Sequence, residues 1–254
     1  MTIERLPRPD GHEIAFRRES GRGPGIVFFS GFNSSMAGTK ASWLAERCRR
    51  ERRAFLRFDA FGHGESSGRL AEGTVGRWKE DALALLYRLT EGPQLLIGSS
   101  MGAWIAALVA EARPQRIAGF VGIASAPDFT RELIEPSLSE EARAAIARDG
   151  VWLRPSAYGP DPYPIAKRAL EEAEAHLILA RQIRIGFPVR LLHGTADPDV
   201  PASLSLRLMR ALDGPDTAVT LIPGGDHRLS GERDLDLLGR AIDQLLARAA
   251  NPSR

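Results

Sequence analysis

The chain has 254 residues, of which 43% are hydrophobic and 26% are charged; these fractions are typical of a folded globular protein and exclude a disordered, collagen-like or disulfide-rich chain. Its 34 lysine and arginine residues nearly balance its 32 aspartate and glutamate residues, so the formal net charge is only +2 and no nucleic-acid partner is indicated. No apolar run approaches the roughly 18 residues that a membrane span needs, and the single cysteine, Cys48, excludes an intrachain disulfide.

Short apolar runs alternate with longer helical patterns along most of the chain. The runs are rich in β-branched and aromatic residues, and their alternation with helices is typical of β-α-β units around a mostly parallel sheet. We expect the first two strands to form an antiparallel edge through the turn Pro9-Asp10-Gly11. The predicted strands are residues 2–6, 13–18, 25–30, 54–59, 94–99, 117–124, 189–193 and 218–223. The predicted helices are residues 40–51, 74–89, 101–112, 202–212 and 235–249.

The alternation stops between Asp128 and Phe187. This stretch contains a helical pattern at residues 139–147, a proline-rich passage and a second helical pattern that ends near Ala180, but no run that predicts another strand of the sheet. We therefore predict an α/β fold in which residues 1–127 and 188–254 form the core, an eight-stranded, mostly parallel sheet with helices on both faces. Residues 128–187 are predicted to form a helical cap over the edge of the sheet.

A G-x-S-x-G motif lies where the fifth predicted strand meets the third predicted helix, with Gly98, Ser100 and Gly102 at its fixed positions. Small residues on both sides of the serine allow a tight turn that lifts the hydroxyl above the sheet, where it can act as a nucleophile. The glycines could instead serve only the packing of strand against helix, with Ser100 as an ordinary helix cap. The position of the motif at a strand-to-helix junction favours the nucleophile.

A serine hydroxyl needs a base to accept its proton and a carboxylate to orient that base. Asp197 follows the strand at 189–193 and His227 follows the last strand, so both lie in loops at the carboxyl ends of parallel strands. The chain order serine, aspartate, histidine is the order expected for this arrangement. The sequence therefore predicts a catalytic triad of Ser100, Asp197 and His227.

Other residues compete for these roles. Asp199 could be the acid, although we expect it to cap the helix that follows it. Asp226 adjoins His227 but is expected to point to the surface, and Asp128 is an outside alternative for the acid. The remaining histidines, which we expect to be structural, are His12, His63, His176 and His193.

Two N–H donors are needed to bind the oxyanion that forms when an acyl carbonyl is attacked. The amide of Met101, the first residue after the nucleophile, is one candidate. The second is expected in the loop after the third strand, where Gly31 lets the backbone turn the Phe32 amide toward Ser100. The Asn33 side chain is a rival donor in the same loop.

The motifs resemble those of the α/β-hydrolase superfamily, and the resemblance spans nearly all of the chain. Many members of the superfamily have His-Gly before the oxyanion donor, whereas this chain has Ser30-Gly31. The resemblance implies the α/β-hydrolase fold, hydrolysis of carboxylic esters or thioesters, and the triad roles already assigned. The segments that carry it are Gly31-Phe32, residues 58–66, residues 98–102, residues 193–197 and Gly225-Asp226-His227. Residues 32–41 and 163–179 are similar to a branch of thioesterases that remove palmitoyl groups from proteins and also hydrolyse acyl glucuronides.

We therefore expect a serine esterase or thioesterase that works without a metal or other cofactor. Its expected substrate is a small-molecule acyl ester or thioester, or an S-acylated protein. Side chains of the cap suit an apolar acyl group, with Trp152 and Tyr163 as candidate substrate-binding residues. Further apolar candidates in the cap are Leu153, Tyr158, Ile165 and Leu177.

Alternatives to hydrolysis stay open at this point. An acyltransferase or a perhydrolase would use the same triad with another acceptor, and a non-catalytic binding module on this fold is an alternative of a different class. The N-terminus carries Glu4 and lacks the apolar stretch of a secretion signal, so we do not expect secretion. It also shows no transit segment, and we therefore expect a cytoplasmic protein of bacterial type.

Overall fold

The structure is a computed structural model that describes residues 2–156 and 161–250. Its central sheet has the strand order β1-β2-β4-β3-β5-β6-β7-β8, and only β2 runs antiparallel to its neighbours. The strands are β1 (Glu4–Pro7), β2 (Glu13–Glu19), β3 (Arg22–Phe29), β4 (Arg53–Phe58), β5 (Gln94–Ser99), β6 (Ile117–Ile123), β7 (Val189–Gly194) and β8 (Thr217–Ile222). All eight predicted strands are present, with ends that differ by no more than three residues. The predicted fold class is therefore confirmed.

Five helices flank the sheet, as predicted. They are α1 (Thr39–Glu51), α2 (Val75–Leu89), α3 (Met101–Ala112), α6 (Ser203–Ala211) and α7 (Glu232–Ala250). The labels α4 (Glu140–Asp149) and α5 (Lys167–Ala173) denote helices of the cap. Helix α6 ends at Ala211, one residue before the predicted end, because Leu212 pairs with Ile183 in a two-residue strand. No helix within the described ranges combines the length and apolar character that a membrane crossing demands.

The sheet is buried on both faces because successive side chains of a strand point to opposite sides. Ile26 and Phe28 of β3 belong to the hydrophobic cluster that includes α1 and α7. Val27 and Phe29 of the same strand belong to the larger cluster that includes α2 and α3. Layers of helices on both faces leave the carboxyl edge of the parallel strands as the open side of the core.

The described residues between β6 and β7 contribute no strand to the central sheet. They include a π-helical turn at Thr130–Ile134, the helices α4 and α5, and an antiparallel hairpin of Val151–Arg154 with Tyr163–Ala166. The hairpin is a correction to the prediction of a purely helical cap. Each of its strands has only four residues, which is too short for a strand periodicity to stand out among the surrounding prolines.

Buried polar contacts join the beginning of the cap to its end and attach that end to the core. The carboxylate of Asp128 accepts hydrogen bonds from the backbone N–H groups of Ile178 and Leu179, each at 2.9 Å. The indole N–H of Trp104, on α3, donates to the carbonyl of His176 at 3.1 Å. These bonds hold the cap beside the carboxyl edge of the sheet, where the predicted site residues lie.

Candidate active site

Ser100 occupies a strained turn between β5 and α3. Its φ of 55° and ψ of −123° lie in a region that residues other than glycine rarely adopt. A Cβ on Gly98 would lie 2.6 Å from the backbone nitrogen of Ala103, and one on Gly102 would lie 2.5 Å from the carbonyl oxygen of Ser30, so glycine is required at both positions. Ser100 is the N-cap residue of α3, yet its side chain makes no capping hydrogen bond. The turn therefore has the geometry of a nucleophile elbow rather than of an ordinary helix cap.

Asp197 and His227 form a hydrogen-bonded pair. The loops after β7 and β8 bring them together, and Nδ1 of His227 lies 2.8 Å from Oδ2 of Asp197. The other carboxylate oxygen, Oδ1, accepts the backbone N–H groups of Asp199 and Val200, each at 2.9 Å. The Asp197 side chain is 1% exposed and the His227 side chain is 17% exposed, so the imidazole lies between the buried carboxylate and the surface.

The charge state of Asp197 follows from these contacts. Burial by itself would raise the pKa of this carboxyl group, but hydrogen bonds from His193, His227 and the Val200 N–H outweigh it and hold the pKa well below its ordinary value. Asp197 is therefore a carboxylate at neutral pH, as a group that orients an imidazole must be.

Ser100 and His227 line the same cavity, whose volume is about 640 Å³. This volume lies within the range of about 300–1,000 Å³ that is common for ligand pockets. Phe129, Leu133 and Tyr163 of the cap line it as well. The cavity is thus bounded by both the core and the cap, and the predicted nucleophile and base both face it.

Phe32 also lines this cavity, and four aromatic rings surround its side chain. Its ring centroid lies 5.9 Å from that of His63, 6.0 Å from Trp78, 5.7 Å from Phe129 and 5.6 Å from Tyr163. Edge-on and tilted contacts of this kind are each favourable. They anchor the loop that follows β3 to α2 and to the cap.

The two predicted oxyanion donors belong to the loop after β3 and to the start of α3. A Cβ on Gly31 would lie 3.3 Å from the Cβ of Ser100, so the loop that carries Phe32 passes close to the nucleophile. Met101 is the first residue of α3, and the first amides of a helix have no partner within the helix. The rival donor Asn33 is exposed, has a φ of 53° and also lines the cavity. The roles of the Phe32 and Met101 amides stay predictions.

The candidate substrate-binding residues are placed differently from one another. Tyr163 lines the cavity, whereas Trp152 is not among its lining residues and packs, partly buried, against the larger hydrophobic cluster. Leu153 is 57% exposed. Ile165 lines a separate small cavity between cap and core, and Tyr158 lies outside the described residues. Substrate contact by Tyr163 stays a prediction, and Trp152 packs against the hydrophobic cluster outside the cavity lining.

The sequence interpretation missed three cationic side chains on the cavity wall, those of Lys40, Arg154 and Arg228. The ammonium group of Lys40, near the start of α1, donates a hydrogen bond to the carbonyl of Arg228, next to His227. Burial lowers the pKa of Lys40 to about 8, although the negative charge of Asp226 raises this pKa and offsets part of the effect. Nothing in the local sequence marks these residues, because they come from three separate segments that only the fold brings together.

The rival acids have other partners. Asp128 is occupied by the two backbone N–H groups of the cap, and Oδ1 of Asp226 accepts the N–H of Leu229 at 2.9 Å. Asp199 does not take the capping position of α6, which belongs to Ala202, so that expectation was wrong. Asp199 instead lines the cavity.

All four rival histidines lie outside the lining of this cavity, within the part of the chain that the structure describes. His63 is buried, and its Nδ1 lies 3.1 Å from the carbonyl oxygen of Phe61. Its burial lowers its pKa. Nε2 of His176 lies 2.9 Å from Glu172, and His12 packs edge-on against Phe61. Of the five histidines, only His227 lines the cavity together with Ser100 among the described residues.

Asp197, Asp199 and His227 also form the one described cluster with metal-ligating potential, since ligand atoms of the three lie within 4.8 Å of one another. The oxygens of Asp197 are already engaged, however, by two backbone N–H groups and by His227. A carboxylate whose lone pairs are used in this way is poorly placed to bind a cation. The arrangement favours orientation of the imidazole over metal coordination.

Comparisons with known proteins identify the family to which the chain belongs. The model of the alpha/beta hydrolase family matches residues 26–240. The mitochondrial palmitoyl-protein thioesterase ABHD10 of Bos taurus is 40% identical over 246 residues, which are 96% of this chain and 80% of that protein. The structure of mouse alpha/beta hydrolase domain-containing protein 10 has a TM-score of 0.88 and 38% identity, covering 98% of this chain and 99% of the mouse chain. A crystal structure of an Agrobacterium vitis S4 protein described as a hydrolase has a TM-score of 0.91 and 36% identity, covering 96% and 99%.

Proposed function

Because the chain belongs to the α/β hydrolase family, we propose that it is a serine hydrolase that cleaves carboxylic ester or thioester bonds of acyl substrates. The observation that carries this proposal is the 2.8 Å hydrogen bond between His227 and Asp197. His227 lines the same cavity as Ser100, which lies in a strained turn. A buried carboxylate, an imidazole and a serine at an elbow are the groups that acyl transfer needs.

In the first half of the reaction, Oγ of Ser100 attacks the acyl carbonyl carbon while its proton moves to Nε2 of His227. Asp197 accepts the Nδ1–H of His227, keeps Nε2 free to take the proton, and stabilises the imidazolium that forms. The amides of Phe32 and Met101 bind the oxyanion of the tetrahedral intermediate. His227 then gives the proton to the leaving oxygen or sulfur as its bond to the acyl carbon breaks.

In the second half, water repeats the sequence. His227 takes a proton from water, the resulting hydroxide attacks the acyl carbon of the Ser100 ester, and the proton passes to Oγ of Ser100 as the free acid leaves. The steps need no group beyond the side chains and amides named, so we propose that the reaction requires no cofactor.

The cavity supports an acyl group on the carbonyl side of the scissile bond. Its apolar wall is formed by Phe32, Phe129, Leu133 and Ile134. Each methylene that moves from water to such a wall contributes about 0.8 kcal/mol to binding. Relatives described as palmitoyl-protein thioesterases support a thioester substrate, an S-acylated protein among them.

Labelling with a fluorophosphonate tests the proposal directly. The wild-type protein is expected to be labelled with a stoichiometry near one, and Ser100→Ala is expected to be unlabelled and to lose several orders of magnitude in ester turnover. Circular dichroism of both proteins is the control for folding. A folded wild-type protein that resists labelling would favour a non-catalytic binding module.

A panel of p-nitrophenyl esters and acyl thioesters of graded length then defines the substrate class. We expect both series to be hydrolysed and kcat/KM to rise with acyl length, because the apolar wall binds the chain. Added alcohol acceptors distinguish hydrolysis from acyl transfer, since a transferase would form the new ester in preference to the free acid.

A further inference from the structure

His193 lies beneath the candidate acid rather than in the cavity. It is the penultimate residue of β7, and it is 0% exposed. Ser205, on α6, is also 0% exposed. A polar side chain is costly to bury unless its hydrogen bonds are made, so a fully buried pair of this kind is held by specific partners.

Those partners define which nitrogen of His193 carries the proton. Nε2 lies 2.9 Å from the carbonyl oxygen of Val200, which can only accept. Nε2 therefore carries the hydrogen, and in the neutral ring Nδ1 is the acceptor. Nδ1 lies 2.7 Å from Oγ of Ser205, whose hydroxyl donates to it. The Val200 carbonyl thus selects the tautomer in which the proton is on Nε2, and the Ser205 hydroxyl donates to the remaining acceptor, Nδ1.

The Nε2–H group of His193 also faces Asp197. The distance from Nε2 to Oδ2 of Asp197 is 3.3 Å, and Oδ2 is the oxygen that His227 binds. Val200 forms hydrogen bonds with both residues: its N–H donates to Oδ1 of Asp197, and its carbonyl accepts from Nε2 of His193. His193 therefore joins the strand, the 197–200 turn and the carboxylate in one buried network.

We propose that His193 is a positioning residue for the reaction, which acts by holding the Asp197 carboxylate and the 197–200 turn in the orientation that His227 needs. Ser205 supports this role by donating to Nδ1 of His193, which satisfies that buried nitrogen and holds the ring in place. The proposal rests on the proposed function, because it assigns His193 a task only if Asp197 orients the base. A hydrogen bond from His193 also contributes to the low pKa of Asp197.

Two substitutions of similar polarity separate positioning from packing. In His193→Gln the side-chain amide nitrogen can occupy the place of Nε2, which keeps the donor that faces Val200 and Asp197. In His193→Asn the shorter amide reaches only the place of Nδ1, so the donor is lost. We expect His193→Gln to keep a kcat close to that of the wild type and His193→Asn to lose about 10- to 100-fold in kcat at unchanged KM, the size of effect expected when a catalytic group is misplaced by a fraction of an ångström to about 1 Å.

Ser100→Ala is measured beside these variants on the same ester. Normal turnover by Ser100→Ala overturns the proposed function itself. Equal kcat values for the Gln and Asn variants, with Ser100→Ala inactive, overturn only the role of His193.

Ser205→Ala decides the matter where both His193 variants fail to fold. Loss of the hydroxyl leaves the buried Nδ1 of His193 without its donor and loosens the ring, which is expected to lower kcat at unchanged KM. Leu208→Val, which alters a buried packing residue of the same helix, is the control and is expected to leave kcat unchanged. The same kcat for Ser205→Ala as for the wild type overturns the proposal.

Discussion

The backbone N–H of Asp199 donates a hydrogen bond to Oδ1 of Asp197 at 2.9 Å. The two acidic side chains are therefore held in one tight turn, but they face different surroundings. Asp197 is buried and bonded to His227, whereas Asp199 is exposed and lines the cavity. The Asp197 carboxylate is therefore placed to orient His227, whereas the Asp199 carboxylate is placed on the wall of the cavity.

A pair of substitutions tests this assignment. Asp197→Asn removes the acceptor of the His227 Nδ1–H and permits the wrong imidazole tautomer, so kcat/KM for an acyl ester is expected to fall by about 10⁴-fold. Asp199→Asn leaves the Asp197–His227 bond in place and is expected to change kcat/KM only mildly. Steady-state kinetics of both variants check this, and the opposite ranking would transfer the acid role to Asp199.

The elbow glycines give a second prediction. A Cβ on Gly102 would lie 2.5 Å from the carbonyl oxygen of Ser30, so Gly102→Ala displaces the loop that carries Phe32. We expect kcat to fall by about 100-fold or more, because displacements of about 1 Å have effects of this size.

Gly186→Ala is the matched control for the elbow variant. Gly186 is exposed, and a Cβ there would meet no atom within 4 Å. Its kcat is expected to equal that of the wild type, and its free energy of unfolding to stay within about 0.5 kcal/mol. Equal activity of the two alanine variants would contradict the steric argument for Gly102.

The bonds between Asp128, at the beginning of the cap, and the backbone near its end give a third prediction. Asp128→Ala leaves the backbone N–H groups of Ile178 and Leu179 without their acceptor, and each such bond to a charged group contributes about 1.5–3 kcal/mol. Chemical denaturation is expected to show a loss of several kcal/mol in the free energy of unfolding.

Asp128→Asn separates this role from a catalytic one. Asparagine keeps one acceptor and tolerates the left-handed backbone at this position, where φ is 54°, so the loss of stability is expected to be smaller. The kcat of the folded variant is expected to stay within tenfold of the wild type. A loss near 10⁴-fold, as for a triad acid, would revive Asp128 as the acid.

Lys40 predicts a pH dependence of stability. Its folded-state pKa is lowered by burial to about 8 from an ordinary value of 10.5. Between these two pH values the unfolded chain binds more protons than the folded chain, so the free energy of unfolding rises with pH in that window. Below pH 8 both states are protonated, and burial of the charge costs its full amount.

Lys40→Met removes this titration. Urea unfolding at pH 7 and at pH 10 is expected to show that the stability of the variant, relative to the wild type, is greater at pH 7 than at pH 10. The control is the comparison between pH 6 and pH 7, where no difference is expected. The same pH dependence in both proteins would show that the lysine is not desolvated.

Local patterns were sufficient to predict much of this molecule. The apolar runs of β4 and β5 and the helical pattern of α3 depend on neighbours within a few residues, so their predicted bounds lie within one residue of those in the structure. The elbow glycines were predictable for the same reason, since a tight turn has a local steric requirement. The cap hairpin was missed because its four-residue strands carry too short a pattern.

The sequence by itself determined the α/β class and singled out Ser100, Asp197 and His227, because the chemistry of an elbow and of loops after parallel strands is visible in residue type and order. Only the tertiary structure decided that Asp197 rather than Asp199 contacts His227, that Tyr163 but not Trp152 lines the cavity, and that His193 lies under the acid. These decisions depend on the directions of side chains that are far apart in the chain. Such directions are set by packing and by buried hydrogen bonds, which no local pattern encodes.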